Sequence, residues 1–192
     1  MRLIHVFAVA PEADEAFVAA WERARDFLSS KDGFIGAALH RAVRSDVEFR
    51  FVAVTRFDSA EAGEQAARDP DFPDDTAPFA VASGLYEVVH EDGAHEGAAG
   101  VILINPVEVP AEEDQRFLTG WNRAHAALAT QRGYLGSRLH RSVAARDFRF
   151  IDVGRWSSPL AYARALQQPE LQEAAASFPF PTHPALYQAI RD

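Results

Sequence analysis

The feature that most constrains this chain is an internal repeat. Displaced by 100 positions, residues 1–43 and 101–143 coincide at 16 identities, among them Phe17/Phe117, Trp21/Trp121, Gly33/Gly133, Gly36/Gly136 and Leu39-His40-Arg41/Leu139-His140-Arg141. After one residue of slippage in a turn, Phe49-Arg50-Phe51 answers to Phe148-Arg149-Phe150 and Arg56 to Arg155, and near the ends Leu85-Tyr86 answers to Leu186-Tyr187. A fixed period of this kind marks a duplicated structural unit. The division expected is a first repeat over 1–91, a linker over 92–99 and a second repeat over 100–192.

Each copy reads as β-α-β-β-α-β, the ferredoxin-like α+β pattern. Leu3 to Val9 alternates as a strand, and Pro11-Glu12 opens a helix, where proline is tolerated and acids suit the positive end. Phe17, Trp21, Ala24 and Leu28 form an apolar helical stripe. Gly33 is expected as its left-handed cap. Strands are expected over 34–43 and 48–57, then a helix capped by Ser59 and stopped before Pro70, then a closing strand from Ser83 to His90. The second copy is expected to repeat this, with strands at 101–109, 134–143, 147–156 and 185–190, helices at 111–131 and 158–168, and a short extra helix near 170–177. The small, polar stretch Glu91–Ala99 reads as an exposed linker, with His90 and His95 beside it and without a specific role. Helices on one face of a four-stranded sheet leave the other face bare, and a tandem copy supplies a second sheet to cover it at high effective concentration.

Composition closes off several functions. The chain has no cysteine, so disulfides, thiolate metal sites and cysteine nucleophiles are excluded. A net charge of −9 with scattered arginines is the opposite of a nucleic-acid footprint. No apolar window is long enough to span a bilayer, and the first strand makes a poor leader peptide, so a cytoplasmic location is expected, with no membrane partner. The spacing of the seven histidines suggests no metal site, and Gly133-x-x-Gly136 opens a strand rather than a helix, the wrong setting for a dinucleotide.

The stripe Phe-x-x-x-Trp in the first helix, the openings Gly33-Phe34-x-Gly36 and Gly133-Tyr134-x-Gly136, the closing Leu139-His140-Arg141-Ser142 and the segment from Phe148 to Ser158 together resemble the antibiotic biosynthesis monooxygenase family. Pro169-Glu170 and Pro184-Ala185-Leu186-Tyr187 extend the resemblance over nearly the whole of both halves. It implies an intramolecular dimeric α/β-barrel. It also implies an oxygenase acting on an aromatic polyketide intermediate of antibiotic or secondary-metabolite biosynthesis. Oxygen is activated by a deprotonated phenol with no cofactor, or with reduced flavin as the variant. The alternatives are a non-oxidative polyketide cyclase and a non-catalytic ligand-binding module; haem degradation would draw on Asn105 and His183. The partners expected are the small aromatic substrate and O2, with the chain acting as a monomeric pseudo-dimer or pairing further as a homodimer.

Where relatives often carry Asn-x-x-x-Trp on the third strand, the second copy has Asp152 and Trp156 and the first has Ala53 and Phe57. Phe148, Phe150, Asp152, Gly154 and Trp156 alternate onto one face, which leaves Asp152 as a lone carboxylate on an aromatic strip, a candidate general base. Arg155 falls on the opposite face, where it would either reach an oxyanion or form a salt bridge. His140, equivalent to His40, is a candidate proton shuttle or a strand-end fixture. Trp121 belongs to the helix stripe and also borders any pocket between helix and sheet, to which Tyr134, Tyr187 and His183 would add polar tips. Phe178-Pro179-Phe180-Pro181-Thr182-His183-Pro184 reads as a stiff aromatic loop, a candidate lid. The expected catalytic set is therefore Asp152, His140, Arg155 and His183, and the expected substrate contacts are Trp121, Tyr134, Phe148, Phe150, Trp156, Phe180 and Tyr187, all in the second repeat.

Overall fold

The structure, a computed structural model, describes residues 1–93, 99–144 and 148–191. His95 and the first residue of the strand expected over 147–156 lie outside the described residues.

The first repeat runs β1 (Arg2–Phe7), α1 (Asp14–Ser29), β2 (Phe34–Ala42), β3 (Phe51–Phe57), α2 (Ala60–Ala67) and β4 (Ala80–Gly93). The second runs β5 (Val101–Val107), α3 (Asp114–Ala129), β6 (Tyr134–Ser142), β7 (Phe150–Trp156), α4 (Pro159–Ala165), the extra helix α5 (Pro169–Ala176) and β8 (Ala185–Arg191). Within each repeat the strands pair antiparallel. In the first repeat β1 lies between β3 and β4, with His5 opposite Ala53, and β2 adds outside β3. In the second, β5 lies between β7 and β8, with Asn105 opposite Asp152, and β6 adds outside β7, with Leu139 opposite Asp152. Hydrogen bonding orders the strands β1-β3-β2-β8-β5-β7-β6-β4 and closes into a barrel.

The helices form where the sequence signals lie. Pro11 starts a 3-10 turn before α1, Asp14 and Glu15 sit in its first turn, and Phe17, Ala20, Trp21, Ala24 and Leu28 are its buried face. The same acid anchors each long helix to its sheet: Arg50 reaches Asp14 at 2.7 Å, and Arg149 reaches Asp114 at 2.7 Å. Ser59 and Ser158 accept from the amides of Ala62 and Ala161, capping α2 and α4.

Gly33 and Gly133 are left-handed, with φ of 75° and 95°, but they stand in the turn beyond the helix end rather than at the cap, which falls on Ser30 and Thr130 in right-handed geometry. A Cβ at Gly133 would lie 2.6 Å from both Ala161 Cβ and Ser157 Oγ. Gly133→Ala therefore combines backbone strain with a clash, and is expected to lower the unfolding free energy in urea by about 2 kcal/mol.

Two boundaries differ from the sequence reading. β4 runs into the first residues of the stretch read as linker and ends at Gly93 (φ 70°), where a side chain would collide with the backbone of Leu135 and Gly136. The compact units also cross the repeat boundary. One comprises Met1–Glu87, Ser142–Ala144 and Gln188–Asp192; the other comprises Val88–Arg141 and Ala145–Tyr187. The end of β4 thus belongs with the second unit, and the end of β8 with the first. Within the first unit, Phe7, Phe17, Trp21, Leu39, Phe51 and Ala53 pack as one core cluster. Within the second, Phe117, Trp121, Leu139 and Phe150 form its counterpart.

Candidate active site

In the second unit the space between α3 and the sheet is not filled. A cavity of about 250 Å³ opens there, floored by Leu103, Asn105, Asp152, Gly154 and Trp156, roofed by Trp121, Ala124, His125 and Leu128, and closed by residues of α4, α5 and the segment 178–184. Gly154 explains part of the space. It follows Asp152 on the same face of β7, opposite Leu103 and Ser137, and has no side chain to fill the layer. In the first repeat the position of Asp152 holds Ala53, which is packed into the core.

Asp152 faces this cavity. Its Oδ1 is buried and has no hydrogen-bond partner. Burial pushes the carboxyl up to about 7, a hydrogen bond from Trp121 pulls it back in part, and the charge of Asp92 adds to the rise. Trp121 is thus both core and site: it packs with Phe117 and Phe150, yet it borders the cavity and bonds the acid.

A second acid stands behind the wall. Asp92, on β4, accepts from the Tyr134 hydroxyl at 2.7 Å and the Ser137 amide at 2.8 Å, and lies 3.2 Å from His125 Nε2. Burial would raise Asp92, but these bonds and the adjacent histidines outweigh it and hold the carboxyl low. His125 is shifted the other way: its desolvation outweighs the attraction of Asp92, so the imidazole is held below its ordinary value. The 3.2 Å contact is therefore a hydrogen bond from a neutral ring at neutral pH, not an ion pair. His125 stacks on Trp121 at 4.6 Å, and the His90 ring lies 5.0 Å from Trp121 and 4.6 Å from His125. Burial also keeps two phenols protonated: Tyr134 is raised, and Tyr162 is pushed up to about 12.

The cavity brings together Asp152, Trp121, Tyr134, Trp156 and Phe180 of the residues expected from sequence. The remaining six lie outside its lining. His140 is buried in β6 with Nδ1 3.1 Å from the Ile151 carbonyl, as His40 is with Val52, which is the strand-fixing role. Arg155 is an odd number of residues from Asp152 and so emerges on the other face of β7. His183 turns away, its Nε2 2.9 Å from Glu108 and its ring against Phe148 at 5.4 Å, while its amide donates to Asn105 Oδ1 at 3.0 Å. Phe150 shares the face of Asp152, but its place is filled by Phe117, stacked at 4.1 Å. Tyr187 is fully buried. The sequence reading missed His125, Ser137 and Tyr162, which line the cavity, gave Asn105 a place only in haem degradation, left Asp92 in a linker and gave His90, beside it, no role. One signal was available: His125 follows Trp121 by one helical turn and so shares its face.

The sequence profile described as antibiotic biosynthesis monooxygenase matches residues 1–74 and again 100–177. The chain belongs to the antibiotic biosynthesis monooxygenase family. Its two matches fall one on each repeat, so the family unit is present twice. No curated protein sequence matches the chain. Among solved structures, an anthrone oxidase-like protein superposes with a TM-score of 0.80 at 15% identity, over 99% of this chain and 91% of that one. A monooxygenase-like protein from Listeria innocua gives 0.55 at 11% identity, over 100% and 95%. A heme-degrading enzyme from Listeria monocytogenes gives 0.52 at 12% identity, over 98% and 99%. At these identities the likeness is one of fold, and the family's chemistry must be argued from the cavity. Among the described residues no helix is long and apolar enough to cross a membrane.

Proposed function

We propose that this family member is a monooxygenase that oxidises a small phenolic aromatic, of the aromatic polyketide type, in the cavity of its second repeat, with O2 as oxidant and without flavin or haem. The observation that supports this reading is Asp152: a carboxyl poised at about 7, with an unpartnered oxygen, facing a cavity walled by Trp121, Trp156 and Phe180. A base near neutrality suits removal of a phenolic proton. A volume of about 250 Å³ lies just under the usual range for small-ligand sites, roughly 300–1,000 Å³, and fits a flat ring system of two or three rings better than a macrocycle.

Asp152 takes the hydroxyl proton of the enol tautomer, in which the activated CH2 has become a ring CH, and the electron pair delocalises onto that carbon. That carbon reduces O2 and bonds to it as a hydroperoxide. Loss of water then leaves a carbonyl, so CH2 and O2 become C=O and H2O. Tyr162, protonated at all physiological pH values and bordering the cavity, is the donor for the developing oxyanion.

The test is turnover of 1,8-dihydroxyanthrone with an oxygen electrode, corrected for spontaneous oxidation. One O2 consumed per quinone formed, with no stimulation by reduced flavin, is expected. Oxygen uptake no faster than the spontaneous rate, in the wild type as in Asp152→Asn, would overturn the oxygenase reading. The asymmetry of the repeats gives a further expectation: Ala53→Ser in the first repeat should leave the rate within about twofold, whereas Trp156→Phe, which alters the cavity floor, should lower it by roughly tenfold or more, a misplacement effect.

A further inference from the structure

We propose that His90, Asp92 and His125 form a binding site for a divalent transition metal of the iron(II) class in the wall of the cavity. His90 and Asp92 are two residues apart on β4, so both project from one face of the strand, and α3 presents His125 to them. One ligand atom from each residue lies within 4.8 Å of the other two. His125 Nε2 and Asp92 Oδ2, at 3.2 Å, already have the separation of neighbouring ligands on one ion with bonds of about 2.0–2.2 Å. Closing the third ligand onto the same ion takes a shift of roughly 1–1.5 Å, judged against those bond lengths.

Two further observations favour an ion over a simple hydrogen-bonded cluster. His90 Nε2 is buried and has no hydrogen-bond partner, an arrangement that is uncommon without a ligand to complete it. The supporting contacts are also those of a ligand set. Tyr134 and the Ser137 amide both bond Asp92 Oδ1, which leaves Oδ2 to the ion, and Ser137 Oγ lies 3.5 Å from His125 Nδ1, the ring nitrogen that a metal-bound histidine turns to a neighbour. Two imidazoles and one carboxylate with the remaining positions open is the donor set of non-haem iron(II) sites. The cluster lies beside the cavity, which His125, Tyr134 and Ser137 border. An ion there places positive charge beside the cavity, where it favours an anionic aromatic ligand. The inference does not rest on the oxidation proposed above, and metal binding is read directly.

The full chain, stripped with EDTA and dialysed, is titrated with cobalt(II) as an optical stand-in and with iron(II) under anaerobic conditions. One equivalent per chain, a visible cobalt band and a higher melting temperature are expected, with His90→Gln, Asp92→Asn and His125→Ala each weakening cobalt binding at least 100-fold. Binding to the wild type only at millimolar cobalt, or variants that bind as well as the wild type, would overturn the site. If the variants misfold by circular dichroism, X-ray absorption of the cobalt-loaded wild type decides instead: two imidazole ligands support the assignment, and one or none refutes it.

Discussion

Asp152→Asn is expected to lower kcat for anthrone oxidation by about 10²- to 10⁴-fold, the range for loss of a positioned base, with the fold intact. In the wild type the rate should rise with pH and level off above about 7, where the carboxyl is ionised; the asparagine variant should lose that inflection. The same substitution has a consequence for stability. An aspartate releases its proton near 3.9 in the unfolded chain, while Asp152 holds its proton to about 7 in the folded one. Between these values the folded state binds the extra proton, so stability falls as pH rises through the window, and the contribution is fully lost above it. Three pH units correspond to at most about 4 kcal/mol. Asp152→Asn should therefore be close to neutral at pH 4 and stabilising by about 2–4 kcal/mol at pH 8, as read from urea unfolding at both values. An unchanged rate, or a variant less stable at pH 8, would remove Asp152 from the role assigned to it.

Phe117→Ala is expected to have the largest effect on stability, about 3–5 kcal/mol in urea at neutral pH. Phe117 is 0% exposed and stacked on Phe150 at 4.1 Å. It also supports Phe178 and Phe180 at 5.7 and 6.0 Å, and both border the cavity. The truncation should therefore raise KM as well as destabilise, because the segment that closes the cavity loses its footing. A loss below 1 kcal/mol would show that the surrounding rings collapse to fill the void and that the segment is held by something else.

The architecture was legible because duplication is a global pattern that local error does not disturb. The parity of β7 carried the central residue of the site in the same way: alternation put Asp152 and Trp156 on one face and Arg155 on the other, where the structure has them. Parity does not say how far along the face the open space lies, and so Phe148 and Phe150 were drawn in although Phe150 is stacked on Phe117 and Phe148 lies against His183. Composition misled in the segment 178–184. Its rings and its histidine read as one lid, yet the backbone turns Phe178 and Phe180 inward and His183 toward Glu108. The acid Asp92 was hidden by local chemistry, because Glu91-Asp92-Gly93 has the composition of a turn. Its place in a strand is set by pairing with residues more than 40 positions away, which periodicity within a window does not register. His125 was hidden by the repeat itself, since its counterpart is Arg25 and identity between copies drew attention elsewhere.

The substitution of Ala53 for an acid bears on how such a chain can evolve. An assembly of two identical subunits acquires every mutation twice, so a carboxylate introduced for catalysis must also be tolerated at the symmetric position. Fusing two copies into one gene lifts that constraint. One half is free to accumulate polar groups that weaken its core, while the other retains the tight packing that keeps the pair folded.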